Sequence, residues 1–240
     1  MKLLTLIISF SFLLSFLLLS FIATAATIDP DTILKKADDI RNPNESFFMK
    51  VQVKSTGESE DSEFEVYIKG KEKTLFKTIL PRRERGKNYL MLEENIWVFL
   101  PNLKREVRVS LSQKLTGQAA NGDIGRMRWH GDYTAKLVKE DDETYQLDLV
   151  ATKKGLTYDK ITAWINKKNF RPVKADYLTV TGKILKHASF GGYKQIAGNV
   201  RPTQITIADA VNTSDSSLIT IVIMESKEFP DSMFSRENLQ

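Results

Sequence analysis

The sequence predicts a mainly β chain organised as one large antiparallel sheet, strongly curved or closed. Three observations carry this. Segments from Ser46 to Ser226 alternate apolar and polar residues with period two, turn sequences separate them, and helix-period patterning sits at the two ends of that region. Sequential short strands with tight connections pair with their neighbours, which makes the sheet antiparallel. No linker, composition shift or internal repeat divides the chain, so residues 26–240 are expected to form one domain.

Asp29-Pro30-Asp31 opens a short helix, with Asp as a capping residue and Ile33, Leu34, Ala37 and Ile40 at helical spacing. Asn42-Pro43-Asn44 stops it. Phe47, Met49, Val51 and Val53 then alternate with lysines and Gln52, and Phe64, Val66 and Ile68 alternate with Glu63, Glu65 and Lys69. Thr74–Leu80, Asn88–Leu92, Ile96–Leu100 and Glu106–Ser110 continue the strands, with turn chemistry at Gly70-Lys71, Pro81, Glu93–Asn95 and Pro101. After an interruption the strands resume as Tyr133–Lys139, Thr144–Ala151, Asp159–Asn166, Val173–Thr179, Lys183–Tyr193, Val200–Ala208 and Ser217–Ser226. Pro230-Asp231 is expected to start a short terminal helix running to Leu239.

The interruption, Leu111–Gly131, carries Gly117, Gly122, Gly125 and Gly131, little alternation, and the cluster Arg126-Met127-Arg128-Trp129. It reads as an irregular or partly helical excursion, the kind of long connection that is often functional. Several strands are apolar on both faces. Leu75 and Ile79 oppose Phe76 and Leu80; Ile96, Val98 and Leu100 oppose Trp97 and Phe99; Leu218, Val222 and Met224 oppose Ile219, Ile221 and Ile223. A sheet with one solvated face does not do this. The second face is covered by the sheet folding on itself, by the excursion, or by a cargo held in a hydrophobic cavity.

Met1-Lys2 precedes an apolar run from Leu3 to Ile22 that ends at Ala23-Thr24-Ala25-Ala26. A charged start, an apolar stretch and a small-x-small site read as a secretory signal peptide over residues 1–25, cut after Ala25 or Ala26. The competing reading is an uncleaved anchor, since the run is long enough to span a bilayer.

Chemistry is sparse. Cysteine is absent, which excludes disulfides, thiolate metal sites, thiol nucleophiles and lipidation of a mature N-terminal cysteine. Two histidines, His130 and His187, cannot make a three-histidine metal site, and neither has a nucleophile context. No nucleophile elbow, phosphate loop or calcium loop occurs. Asp141-Asp142-Glu143 belongs to a hairpin turn, and Asn44-Glu45-Ser46 and Asn212-Thr213-Ser214 match a glycosylation sequon that is common by chance. The net charge of +5 is spread along the chain and does not point to nucleic acid. The local basic run Arg82-Arg83-Glu84-Arg85 after Pro81, with Lys104-Arg105 and Arg108 beyond a second proline turn, is suited to lipid phosphates or an acidic partner, or simply to a solvated loop.

One stretch carries a resemblance. Asn95-Ile96-Trp97-Val98-Phe99-Leu100-Pro101 followed by Lys104-Arg105 and Ser110-Leu111-Ser112-Gln113 is similar to the Trp-x-aromatic-Leu-Pro, basic, Ser-Leu-Ser-Gln pattern of the outer-membrane lipoprotein-sorting family, the LolA-like proteins. Pro81–Gly86, Ile161–Asn166 with Pro172, and Phe229-Pro230-Asp231-Ser232-Met233-Phe234 agree with it in order and spacing, over about residues 45–240. After Gly117 the sequence departs from the family pattern, where only Gly117 and Asp123 match. The resemblance implies a curved antiparallel half-barrel with short helices over its open side and a hydrophobic cavity between. It implies a non-enzymatic periplasmic carrier or chaperone for lipoprotein acyl chains or other lipids, without cofactor or metal. Its partners would be an inner-membrane lipid or hydrophobe transporter and an outer-membrane acceptor. Large residues on the doubly apolar strands, Phe76, Leu80, Tyr89, Trp97, Phe99 and Trp164, are the candidate cavity lining. Arg82, Arg83 and Arg85 are the candidate head-group or partner contacts. A lipid-sensing module of the same fold and a secreted hydrolase are the alternative readings.

Overall fold

The computed structural model describes residues 28–42 and 45–239. The leader read over residues 1–25, its cleavage site, and the Pro43-Asn44 helix stop lie outside the described residues.

Helix α1 spans Pro30–Arg41. The Asp29 carboxylate accepts from the Thr32 N–H at 3.0 Å and the Thr32 hydroxyl at 3.1 Å, and Pro30 needs no donor in the first turn. A helix this short is held by its buried face more than by propensity. Ile33 and Leu34 are fully buried, each contributing about 1.5–3 kcal/mol relative to exposure.

The strands follow in chain order: β1 Phe47–Ser55, β2 Ser62–Lys69, β3 Lys73–Leu80, β4 Asn88–Leu92, β5 Asn95–Leu100 and β6 Arg105–Val109. The excursion holds a small hairpin, β7 Lys114–Thr116 and β8 Ala119–Ala120, and a short helix, α2 Asn121–Gly125. Then come β9 Tyr133–Glu140, β10 Thr144–Ala151, β11 Lys160–Asn166, β12 Pro172–Leu178, β13 Ile184–Gly191, β14 Lys194–Ile196, β15 Asn199–Arg201, β16 Gln204–Asp209 and β17 Ser216–Ser226. Among the described residues, thirteen strands form one curved, unclosed antiparallel sheet in the order β6-β5-β4-β3-β2-β1-β17-β16-β13-β12-β11-β10-β9. The expected mainly β half-barrel is what the chain forms.

Register sorts the side chains into two faces. Met49, Val66, Phe76, Tyr89 and Val98 lie opposite one another in successive strands on the inner face. Ile219, Ile205 and Phe190 continue that face on the other side of β1. Phe48, Tyr67, Leu75, Leu90 and Trp97 form the corresponding row on the outer face. Helix α1 and the excursion cover the inner face, and the main core lies between them and the sheet. The outer row meets Phe229, Phe234 and Leu239 of the C-terminal segment in a second, smaller core.

Three expected elements differ. Lys183–Tyr193 and Val200–Ala208 each break, leaving the separate hairpin β14–β15. Gly192 takes φ +59° where β13 leaves the sheet, and Pro202 has no N–H to donate to a ladder. The terminal segment is two 3-10 turns, Asp231–Phe234 and Arg236–Asn238, and not one helix. Ser235 between them is extended, which lets Phe229, Phe234 and Leu239, five apart, all reach the sheet.

Candidate functional site

The inner face is the candidate site, and polar side chains fasten its cover. Thr74 of β3 donates to the Gly125 carbonyl at 2.9 Å, Ser217 of β17 accepts from the Gln118 N–H at 2.8 Å, and Lys186 of β13 donates to the Gln118 carbonyl at 2.5 Å. Gly117 has φ +51°, and a side chain there would collide with Ser55 and Ser217. A Cβ on Gly122 would lie 1.8 Å from the Thr157 hydroxyl. The excursion therefore sits on the sheet with no room for larger residues at those points.

Its C-terminal half is held by charge. Asp132 accepts from Arg126 Nε at 2.6 Å and from Arg128 Nε at 3.0 Å, and Arg128 reaches Glu72 at 2.7 Å. Burial pushes the Asp132 carboxyl up, but the arginine hydrogen bonds outweigh it and hold it below its usual value. Helix α1 is fastened at the same place. Asp38 accepts from the Trp129 and His130 backbone N–H groups at 2.9 and 3.2 Å, and burial pushes its carboxyl up to about 6. Arg201 of β15 donates to the Asp39 and Ile40 carbonyls at 2.9 and 3.0 Å, satisfying the C-terminal end of α1.

Under this cover lies a cavity of about 30 Å³. Its floor is Ile161, Ile205, Ile207 and Ile219, and its polar wall includes Arg41, Asp123, Tyr158 and Tyr177. The Tyr158 hydroxyl donates to Asp123 at 3.0 Å, and the Tyr158 ring stacks on Tyr177 at 4.0 Å. Burial raises the Asp123 carboxyl, with the Lys186 charge opposing it, and raises the Tyr177 phenol. A second opening, a cleft of about 310 Å³, lies at the end of β2 and β3. Phe64, Tyr89 and Leu115 form its apolar part, with Arg83, Lys87 and Lys114 among its charged residues.

The structure divides the candidate lining. Phe76 is fully buried on the inner face and stacks on Tyr89 at 4.4 Å, so these two come together between core and cleft. Leu80 ends β3, 36% exposed, in an open groove beside Pro81, Arg82 and Arg83. Trp97 and Phe99 are on the outer face under the C-terminal segment, and Trp164 is on the outer face with the Lys174 ammonium 4.3 Å above its ring. Strand alternation separates these three from Phe76 and Tyr89, because residues of opposite parity point to opposite faces. Arg82, Arg83 and Arg85 are exposed around a 3-10 turn over Arg82–Glu84. Arg83 faces Glu60 at 3.4 Å and lines the cleft with Tyr89.

Sequence reasoning missed Asp38, Arg41, Tyr177 and Arg201. All four sit in positions that pattern assigns to ordinary helix or strand residues. Each histidine pairs with a carboxylate, His187 with Asp176 at 2.7 Å and His130 with Asp31 at 3.3 Å. Among the described residues no group of three or more His, Asp or Glu is placed to hold a metal, and no helix is long and apolar enough to cross a membrane.

Comparison with known proteins agrees with this architecture. A family model described as an uncharacterized protein matches residues 70–240. No curated protein matches. A LolA superfamily protein from Nitrosomonas europaea is 35% identical over 88% of this chain and 99% of its own, with a TM-score of 0.81. An outer membrane lipoprotein-sorting protein domain from Vibrio parahaemolyticus shares the fold at 19% identity, covering 88% of this chain and 97% of its own, with a TM-score of 0.73. A DUF1329 family protein from Desulfovibrio piger does so at 21% identity, over 88% and 100%, with a TM-score of 0.75. With its half-barrel sheet, covered inner face and this likeness over nearly the whole described chain, the protein belongs to the LolA superfamily.

Proposed function

We propose that the protein is a periplasmic, non-enzymatic carrier that holds acyl chains of lipoproteins or other lipids between the inner face of the sheet and its cover, for transport towards the outer membrane. The observation that supports this most is the kind of cover. The inner face is apolar across the sheet, yet one short helix and an irregular excursion close it, and they are fastened by polar side chains at discrete points. A cover fastened at points can lift as a unit. The apolar floor it exposes would take up a chain at about 0.8 kcal/mol per buried methylene, with no catalytic group involved. Tyr89 and Phe76, stacked between cleft and core, mark the side at which a chain would enter. Export by the leader over residues 1–25 and its removal belong to the same proposal.

Mass spectrometry of organic extracts from natively purified protein tests the reading. A bound acyl lipid at near one per protein is expected, and a protein that is lipid-free and takes up no fluorescent acyl probe would overturn it. The basic turn gives a second handle. Replacing Arg82, Arg83 and Arg85 together with Gln should weaken binding to anionic vesicles and flatten its salt dependence, since exposed charges act through a screened field. Unchanged binding at low salt would leave these arginines as solvated loop residues.

A further inference from the structure

The cavity under the cover has a polar end whose hydrogen-bonding capacity is unused. Arg41 is 9% exposed and carries five donors. Its one hydrogen bond among the described residues is a long one, 3.4 Å to Asp38. Its guanidinium stacks 3.7 Å from the Trp129 ring centroid and 5.2 Å from that of Phe190, which fixes its plane without using its N–H groups. Tyr177 is 4% exposed, and its hydroxyl has no hydrogen-bond partner among the described residues, although its ring is locked against Tyr158. Both side chains line the same cavity. The fully buried side-chain atoms without a partner among the described residues are Glu106 Oε2 and Arg201 Nε; the unused donors of Arg41 and Tyr177 open onto the cavity instead, where a ligand can meet them.

Other polar groups nearby are engaged. Asp123 accepts from the Ala120 N–H at 2.8 Å and from Tyr158, with the half-buried Lys186 as its main opposing charge. Arg126 and Arg128 are taken by Asp132. What remains open is a pair of donors, one of them cationic, above an isoleucine floor. A volume of about 30 Å³ holds roughly two waters at rest, the space a carboxylate head would claim.

We infer that the acyl ligand is an amphiphile whose carboxylate end is received by the Arg41 guanidinium and the Tyr177 hydroxyl, with its chain lying along the inner face. This rests on the carrier reading and sharpens it to fatty carboxylates over neutral lipids. Position supports it. The Arg41 end of α1 is held from two sides, by Arg201 on the helix carbonyls and by Asp38 on the Trp129 and His130 amides, so the guanidinium is placed before any ligand arrives. Asp123 faces the same cavity and disfavours an anion near it, which puts the head on the Arg41 side.

The test compares palmitate with its methyl ester, by displacement of a fluorescent acyl probe from the full chain. Palmitate is expected to bind about tenfold tighter than the ester, the size of one charge-assisted hydrogen bond. Tyr177→Phe keeps the ring stack and removes only the hydroxyl, so it should lower palmitate affinity several-fold and leave the ester unchanged. Arg41→Met should abolish the preference; where it does not fold, Tyr177→Phe decides alone. Equal binding of palmitate and ester, or a preference left undiminished by Tyr177→Phe, overturns the inference and leaves the carrier reading intact. Failure of both palmitate and its ester to bind overturns the carrier reading and this inference with it.

Discussion

The two faces of the sheet solve the same problem in different ways. On the outer face of β1–β5, the row from Phe48 to Trp97 is covered by rings and aliphatic side chains of the C-terminal segment. Tyr67 meets Phe229 at 5.5 Å and Phe229 meets Phe234 at 6.3 Å, both edge to face. On the inner face the cover is fastened by Asp38, Asp132, Lys186, Thr74 and Ser217. Apolar contact is non-directional and tolerates no gap, whereas a handful of hydrogen bonds and ion pairs can break together and re-form. The contrast is one of degree, since Lys69 also donates to the Phe229 carbonyl at 2.9 Å and Asn88 to the Leu239 carbonyl at 3.0 Å, and Leu111, Ile124 and Trp129 of the inner cover are buried in the main core; in the proposed carrier the outer cover is structure and the inner one is the lid.

The largest effect that would sharpen this contrast is on the outer side. Phe234 is 4% exposed, so Phe234→Ala should cost about 3 kcal/mol of stability in a denaturant titration. The folded fraction should still take up an acyl probe. Lost uptake at unchanged stability would break the distinction between the faces.

Asp132→Asn comes next. Asp132 is buried between two arginines, and removing one partner of such a group costs on the order of 3 kcal/mol. Probe association should become faster, because the lid is loosened. The held-down Asp132 carboxyl also sets a sign: its contribution is present above the ordinary aspartate range and lost as pH falls through its folded value.

Asp38 has the opposite sign. Its folded value of about 6 lies above its unfolded one, so the folded state binds the extra proton between roughly pH 4 and 6. Its contribution to stability should decline as pH rises through that window, by up to about 3 kcal/mol. Denaturant titrations of wild type and Asp38→Asn at both ends of the window check this. The variant should lack that part of the slope, and identical slopes would contradict it.

The smallest effect is expected at Trp164. Its ring lies on the outer face beneath Lys174, away from either cover, and Trp164→Ala should change stability by no more than about 1 kcal/mol. Uptake should be unaffected.

Most of the fold was legible, because strand alternation is a property of neighbouring residues. The doubly apolar strands called for a cover on both faces, and the glycine-rich excursion was one of three candidates for it, beside the sheet folding on itself and a cargo held in a cavity. Which face holds Trp97 was not legible. Alternation places Trp97 and Ile96 on opposite sides, but the side facing α1 depends on contacts far along the chain. Phe76 and Tyr89 reached the inner face, while Trp97, Phe99 and Trp164 did not, for that reason alone. Arg41 and Tyr177 were silent because a buried polar residue at a periodic position carries no local mark. Their role follows from α1, β12 and the excursion meeting in space. The terminal helix failed on spacing: residues five apart in Phe229, Phe234 and Leu239 suit extended turns better than one helical face.

The chain has three tryptophans, and the fold distributes them as reporters. Trp129 lies inside, lining the cavity beneath Arg41, while Trp97 and Trp164 lie outside. Three variants, each keeping one tryptophan with the other two changed to Phe, can be titrated with spin-labelled stearate, which quenches at short range. Quenching of Trp129 with Trp97 and Trp164 unaffected is the result expected for a chain held on the inner face. Quenching of Trp97 or Trp164 while Trp129 stays bright would contradict it and place the ligand outside the lid.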